Sequence, residues 1–110
     1  MEEKISIDEF KRTEITIGEI LFAEKVEGAD RLLRLGVSFG SETRQIVSGI
    51  AAYYPDPAAL VGVMCAFATN LEPRTIRGLV SDGMILAAST DAGEFSLLEA
   101  KGVPPGTRIK

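Results

Sequence analysis

The sequence predicts an all-β fold, a five-stranded barrel with one short helix between strands three and four. Three observations carry this. Two segments alternate apolar and polar residues with a period of two. Glycine-bearing turns separate short apolar runs at strand-like spacing. One proline-led helical signal falls after the third run.

The elements follow in order. "TEITIGEILFAE" alternates at first, with Ile15 and Ile17 on one face and Glu14, Thr16 and Gly18 on the other. It then turns continuously apolar from Ile20 to Ala23, as a strand does when it curls into a closed barrel. "VEGAD" is a turn around Gly28. "LLRLGVSF" alternates cleanly, placing Leu33, Leu35, Val37 and Phe39 on one face and Arg34, Gly36 and Ser38 on the other. "GSET" is a short hairpin connection, and "RQIVSGIA" a third strand that Gly49 allows to bend. In "YYPDPAALVG", Asp56 suits an N-cap, Pro57 the first helical position and Gly62 the position past the end. "VGVMCAFATNL" is a buried strand. After the turn at "EPR", "TIRGLVSDGMILAAS" is one long strand or a pair broken at Gly78 or Gly83. "DAG" is a turn, "EFSLLEA" a last strand, and "GVPPGTRIK" an irregular tail. The acidic N-terminal run is expected to be a solvated lead-in. This order of elements is the arrangement of an OB-fold, with a small open β-sandwich as the competing architecture.

Composition bounds the function. One domain is expected from 110 residues, of which 45% are hydrophobic. No apolar run reaches the ~20 residues of a membrane-spanning helix. The start "MEEKISIDEF" carries no apolar signal segment. A lone cysteine, Cys65, forbids an internal disulfide and lies among apolar neighbours, where it reads as a small buried hydrophobe. These features lead to the expectation of a soluble, cytoplasmic protein. Histidine is absent, which removes the commonest general base and the commonest zinc ligand. No glycine-rich phosphate loop and no metal-ligand spacing occur. Neither catalysis nor a cofactor or metal is expected.

The net charge of −4 is unevenly spread. Residues 1–27 hold four basic and eight acidic side chains, and residues 82–110 hold three and four. Residues 28–81 hold four acids against five bases, all of them arginines: Arg31, Arg34, Arg44, Arg74 and Arg77. Arginine suits bidentate contact with phosphate and stacking on bases. The alternative is an ordinary charged surface.

The chain resembles the tRNA-binding domain found at the C-terminus (beta subunit) of methionyl-tRNA synthetases and in free-standing structure-specific tRNA-binding proteins. The matching pieces are "IDEF" with Lys11, "ITIGEI", "AEKVEGADRLLRL", "RQIVSGIAAYY", "LVG", "NLEPRTIRGLVSDGMILAAS" and "VPPGTRIK". They run in order along nearly the whole chain. The most specific part is Asn-Leu-x-Pro-Arg-x-x-Arg-Gly followed by Ser-x-Gly-Met-x-Leu-Ala. The resemblance implies a single domain over residues 1–110, with an OB barrel over about 13–80 and a C-terminal β extension over about 81–110. It implies non-catalytic recognition of tRNA shape and a homodimer made partly through the extension. A methionyl-tRNA synthetase catalytic subunit is a possible partner.

The residues implied for tRNA binding are Arg31, Asn70, Arg74, Arg77, Ser81 and Met84. Pro73 and Gly78 flank the two arginines, so both can lie on the barrel rim and reach the same phosphates or a stacked base. Ser81 offers a hydroxyl and Met84 a soft apolar contact. A purely structural account of the same residues pairs Arg77 with Asp82 or Glu72. It puts Ser81 in a bulge and Met84 in the core, and makes Asn70 a loop cap. Three positions depart from the family pattern by lacking positive charge: Thr16, Glu19 and Glu72. Fewer phosphate contacts imply a shallower salt dependence, by roughly 0.7–0.9 in slope per contact. The same fold includes secretion-related chaperones that bind unfolded peptides, which is the competing reading. The apolar content of "GMILAA" and "VPPGTRIK" supports the expected two-fold interface.

Overall fold

The computed structural model describes residues 3–110. A one-turn helix, α1 (Ile7–Lys11), precedes strands β1 (Ile15–Val26), β2 (Ala29–Ser38) and β3 (Thr43–Ser48). Two 3-10 turns, Ala51–Tyr53 and Pro57–Leu60, lead into β4 (Met64–Ala68). Five short strands follow: β5 (Arg74–Ile76), β6 (Leu79–Ser81), β7 (Met84–Ile85), β8 (Ala87–Ser89) and β9 (Phe95–Leu97).

The main sheet is antiparallel, of order β3-β2-β1-β4-β7, and curls towards a barrel without strand pairing between β3 and β7. Strand β1 serves both halves. Its first part pairs with β4, Ile15 opposite Ala68 through Glu19 opposite Met64, and its second part pairs with β2. The register slips between Ile20 and Phe22, leaving Leu21 as a bulge. A bulge bends its strand and raises its twist, so the sheet curls there. That explains the continuous apolar run at this point: Ile20 is buried inward while Leu21 and Phe22 stay exposed.

The alternation in β2 is as expected, with Leu33, Leu35, Val37 and Phe39 all in the central core cluster. The alternation in β1 runs the other way round. A Cβ on Gly18 would meet Val37 and Phe39 at 2.6 and 2.7 Å, so Gly18 faces the interior. Ile17 is buried too, but it lies outside the central cluster, as do Ala66 and Ala68. Along this part of β1 the C-terminal tail pairs with the edge that β4 leaves open. The tail's Gly106 N–H and Ile109 N–H donate to the carbonyls of Ile17 and Ile15 at 2.8 and 2.9 Å, and Ile17 N–H donates to Thr107 at 2.8 Å. The expected irregular tail is therefore a short bridging segment against β1. Thr16 is 6% exposed, and its hydroxyl lies 2.8 Å from that of Thr69. Its lack of positive charge takes nothing from an exposed face.

The two ends of the sheet meet across a seam between β3 and the chain just before β7. Asp82 N–H donates to the Gln45 carbonyl at 2.9 Å. The Ser81 hydroxyl accepts from Val47 N–H at 3.0 Å. Because β7 is the fifth strand of the sheet, the barrel runs past the expected boundary near residue 80. Beyond it, β8 and β9 form a separate hairpin.

Other expectations are refined. The expected helix is a 3-10 turn capped by Asp56, whose carboxylate accepts from Ala58 N–H at 3.1 Å, with Gly62 following at φ +89°. The segment after "EPR" breaks at both Gly78 and Gly83. The N-terminal lead-in carries helix α1, started by a capping box in which Ser6 and Glu9 satisfy each other's backbone N–H.

Candidate nucleic-acid interface

The five arginines of the middle segment divide into two kinds. Arg34 lies over the Phe22 ring at 4.8 Å, pairs with Glu24 and donates to Gln45. Arg44 donates to the Thr69 carbonyl at 2.6 Å, pairs with Glu42 at 2.7 Å and reaches Asp82 at 3.8 Å. Both guanidinium groups are spent on holding strands together. Arg31, Arg74 and Arg77 are exposed and make no ion pair within 4 Å among the described residues. The pairing of Arg77 with Asp82 or Glu72 does not form, because Asp82 turns to Arg44.

Strands β5 and β6 make a two-residue hairpin in which Ile76 faces Leu79. Its turn residues are Arg77 at φ +53° and Gly78 at φ +80°, the signature of a type I′ turn. Arg77 is the one non-glycine residue with positive φ among the described residues. Such a backbone costs an L-residue energy and favours Gly, Asn or Asp. A long cation held there is presented at the hairpin tip, away from the sheet. A Cβ on Gly78 would meet nothing within 4 Å, so that glycine serves the turn. Gln45 of β3 donates to the Val80 carbonyl at 2.9 Å and holds the hairpin against the barrel.

The hairpin tip and the β1–β2 turn enclose an open cleft of about 570 Å³, lined by Asp30, Arg31, Ile76 and Arg77 among others. Arg31 and Arg77, 46 positions apart in sequence, thus share one opening. Behind the hairpin, a smaller cleft is bounded by Leu71, Glu72, Arg74, Ile76 and Met84. Met84 is 48% exposed, so the core assignment does not hold and its thioether is available to a ligand.

The other two residues are held by hydrogen bonds within the domain. Ser81 is 4% exposed; besides accepting from Val47 it donates to the Gly83 carbonyl at 3.0 Å. The Asn70 amide accepts from Glu14 N–H at 2.7 Å and donates to the Arg12 carbonyl at 2.6 Å. It ties the start of β1 to the turn after β4. Leu71 and Ile76 are lining residues the sequence did not single out. Their signal was there, since both are apolar in a turn-rich stretch otherwise full of charge. Cys65 lies far from this chemistry in kind: burial, with Glu99 nearby, pushes its thiol up to about 12.

A small β-barrel with a rim of uncommitted arginines defines the class of an OB-type nucleic-acid-binding domain. Comparison with known proteins makes the class specific. The family model "Putative tRNA binding domain" matches residues 15–108, and the chain belongs to that family. It is 44% identical over 110 residues to the methionine–tRNA ligase of Enterococcus faecalis, covering 98% of this chain and 16% of the ligase. The chain therefore spans about a sixth of the length of the curated relatives it matches. Among solved structures it resembles a MetRS-related protein from Pyrococcus horikoshii, with TM-score 0.92 and 36% identity over 99% of this chain and 100% of that one. It also resembles the chaperone CsaA of Bacillus anthracis, with TM-score 0.87 and 25% identity over 98% of this chain and 100% of that one.

Proposed function

We propose that this domain binds tRNA without catalysis, through the rim built by Arg31, Arg74, Arg77 and Met84. The observation that carries the reading is the sorting of the arginines. Two of five are consumed by internal pairs, and the three that are free all border the linked clefts around the β5–β6 hairpin. Guanidinium groups there meet phosphates bidentately or stack on bases, and Met84 with Ile76 offers apolar contact to an unstacked base. Ser81 and Asn70 support the site by positioning the seam and the N-terminal segment. Membership of the tRNA-binding family and likeness to part of a methionine–tRNA ligase supply the ligand class.

The domain works in the cytoplasm, as a homodimer, either free-standing or joined to a methionyl-tRNA synthetase. The expected interface is modified in detail. Within residues 83–88, Ile85 is buried and Met84, which borders the rim, is the large exposed apolar side chain, so the dimer draws more on Val103 of the tail. Light scattering at micromolar concentration tests this, with a monomer as the contrary result.

The double substitution Arg74→Ala with Arg77→Ala is the test of the site. Fluorescence titration with bulk tRNA is expected to show at least tenfold weaker binding with an unchanged melting curve. Equal affinity removes these residues from the interface. The likeness to CsaA favours a second reading, binding of unfolded peptides. Tight binding of a labelled unfolded chain with none of tRNA would select it.

A further inference from the structure

The clefts around the hairpin do not end there. The small cleft behind the hairpin shares Ile76 with the opening at Arg31 and Arg77, and shares Leu71 with a third cleft lined by Ile5, Glu9, Arg12 and Asn70. That third cleft shares Thr13 with a fourth, of about 540 Å³, between α1 and the C-terminal tail. Phe10, Lys11, Arg108 and Lys110 line the fourth. The four clefts follow one another from the hairpin tip to the segment between α1 and the tail, each sharing one lining residue with the next.

The charge along these clefts opposes that of the molecule. Seven cationic side chains line them: Arg31, Arg77, Arg74, Arg12, Lys11, Arg108 and Lys110. Among the lining residues Asp30, Glu72 and Glu9 oppose these cations, and Glu14 meets Arg108 from outside the lining. The rest of the chain is left with five bases against thirteen acids. Arg108 pairs with Glu14 at 3.3 Å, but Lys11, Arg12 and Lys110 make no ion pair within 4 Å among the described residues. Apolar side chains punctuate the track: Leu71 and Ile5 midway, and Phe10, 47% exposed, at its far end. Cations following a groove, with an aromatic and apolar surfaces between them, are what a nucleic-acid backbone with unstacked bases requires. Asn70 fixes the geometry of the crossing, because its amide holds the Arg12 carbonyl.

We propose that the RNA track continues past the hairpin, across the Asn70 turn, to a second group of phosphate contacts made by Lys11, Arg12 and Lys110. This rests on the tRNA-binding reading above and extends it from one rim to a full face of the domain. It also accounts for how an acidic chain holds a polyanion: a focused stripe of positive potential, with the acids on the remaining surface.

The experiment is a salt series of tRNA titrations on the whole chain carrying Lys11→Gln, Arg12→Gln and Lys110→Gln together, beside the unaltered chain and the Arg74→Ala, Arg77→Ala variant. All three substituted side chains are exposed, and a thermal melt verifies that the fold is kept. The expected result is at least tenfold weaker binding at low salt and a log–log salt slope shallower by about 2, from roughly 0.7–0.9 per lost phosphate contact. An unchanged affinity and slope overturns the proposal, as does weaker binding with no change in slope. If the arginine variant loses binding and the triple variant does not, the tRNA reading stands and the extension alone fails. If the unaltered chain binds no tRNA, both fail. Unchanged tRNA binding with loss of an unfolded apolar peptide would assign this end of the clefts to peptides and overturn the proposal.

Discussion

Ser81 and Met84 lie three residues apart and serve different ends. The Ser81 hydroxyl closes the barrel seam, accepting from Val47 N–H and donating to the Gly83 carbonyl. Ser81→Ala leaves that buried N–H without a partner and is expected to cost about 1–3 kcal/mol in urea unfolding. The folded variant should keep its tRNA affinity, and a selective loss of affinity would move Ser81 into the interface. Met84 was legible only as an apolar residue after a glycine, and sequence gives no sign of whether such a residue points in or out. Its exposure follows from β7 being two residues long, with Ile85 taking the inward place. Cys65 was fully legible, because a cysteine inside an apolar strand has nowhere else to go. Its thiol should resist alkylation at neutral pH in the folded protein and react on unfolding, which a timed thiol-labelling assay checks.

At the scale of elements, the β5–β6 hairpin sets backbone comfort against function. Arg77 at φ +53° occupies a position that Asn fills more easily, since Asn-Gly is the favoured type I′ pair. Arg77→Asn is therefore expected to raise stability by about 0.4–1 kcal/mol, on the scale of other turn-compatible substitutions, while weakening tRNA binding. Denaturant unfolding and RNA titration of the same preparation separate the two effects. A variant that loses both stability and binding would contradict the account. The sequence carried the pieces of this turn, "IRGL" between strand-like pairs, but Arg is too rare in the left-handed region for the turn to be read from it. The β2 alternation was legible because one face meets only core. The orientation of β1 was not, because residues on both of its faces are buried from Thr16 to Gly18. The Ser6–Glu9 box that starts α1 has capping-box spacing, yet in the sequence this stretch reads only as a solvated lead-in.

The whole molecule is held shut at its ends. Gly106 sits at φ +94°, and a Cβ there would lie 2.5 Å from the Phe39 carbonyl oxygen. Gly106→Ala is expected to release the tail from β1, seen as loss of amide-exchange protection at Ile17 and a lower melting temperature. The tail was illegible as structure because Pro104 and Pro105 break any period and its pairing is with a strand about 90 residues away in sequence. Stability should also fall in alkali. The unfolded Cys65 thiol ionises above its ordinary value of 9.0, whereas the buried one stays protonated up to about 12, so rising pH across that window favours the unfolded chain. Burial raises the Tyr54 hydroxyl in the same sense. Denaturant midpoints from pH 8 to 11 should decline, and a flat profile would deny that the Cys65 thiol is buried in the folded state.

The central claim is that an acidic barrel recognises tRNA through a localised basic face. Titration of the unaltered chain with labelled bulk tRNA at low and moderate salt, against a plain double-stranded RNA hairpin, tests it most directly. The account predicts salt-sensitive binding to tRNA and markedly weaker binding to the hairpin. Absence of tRNA binding at low salt, or equal affinity for the two RNAs, would contradict it.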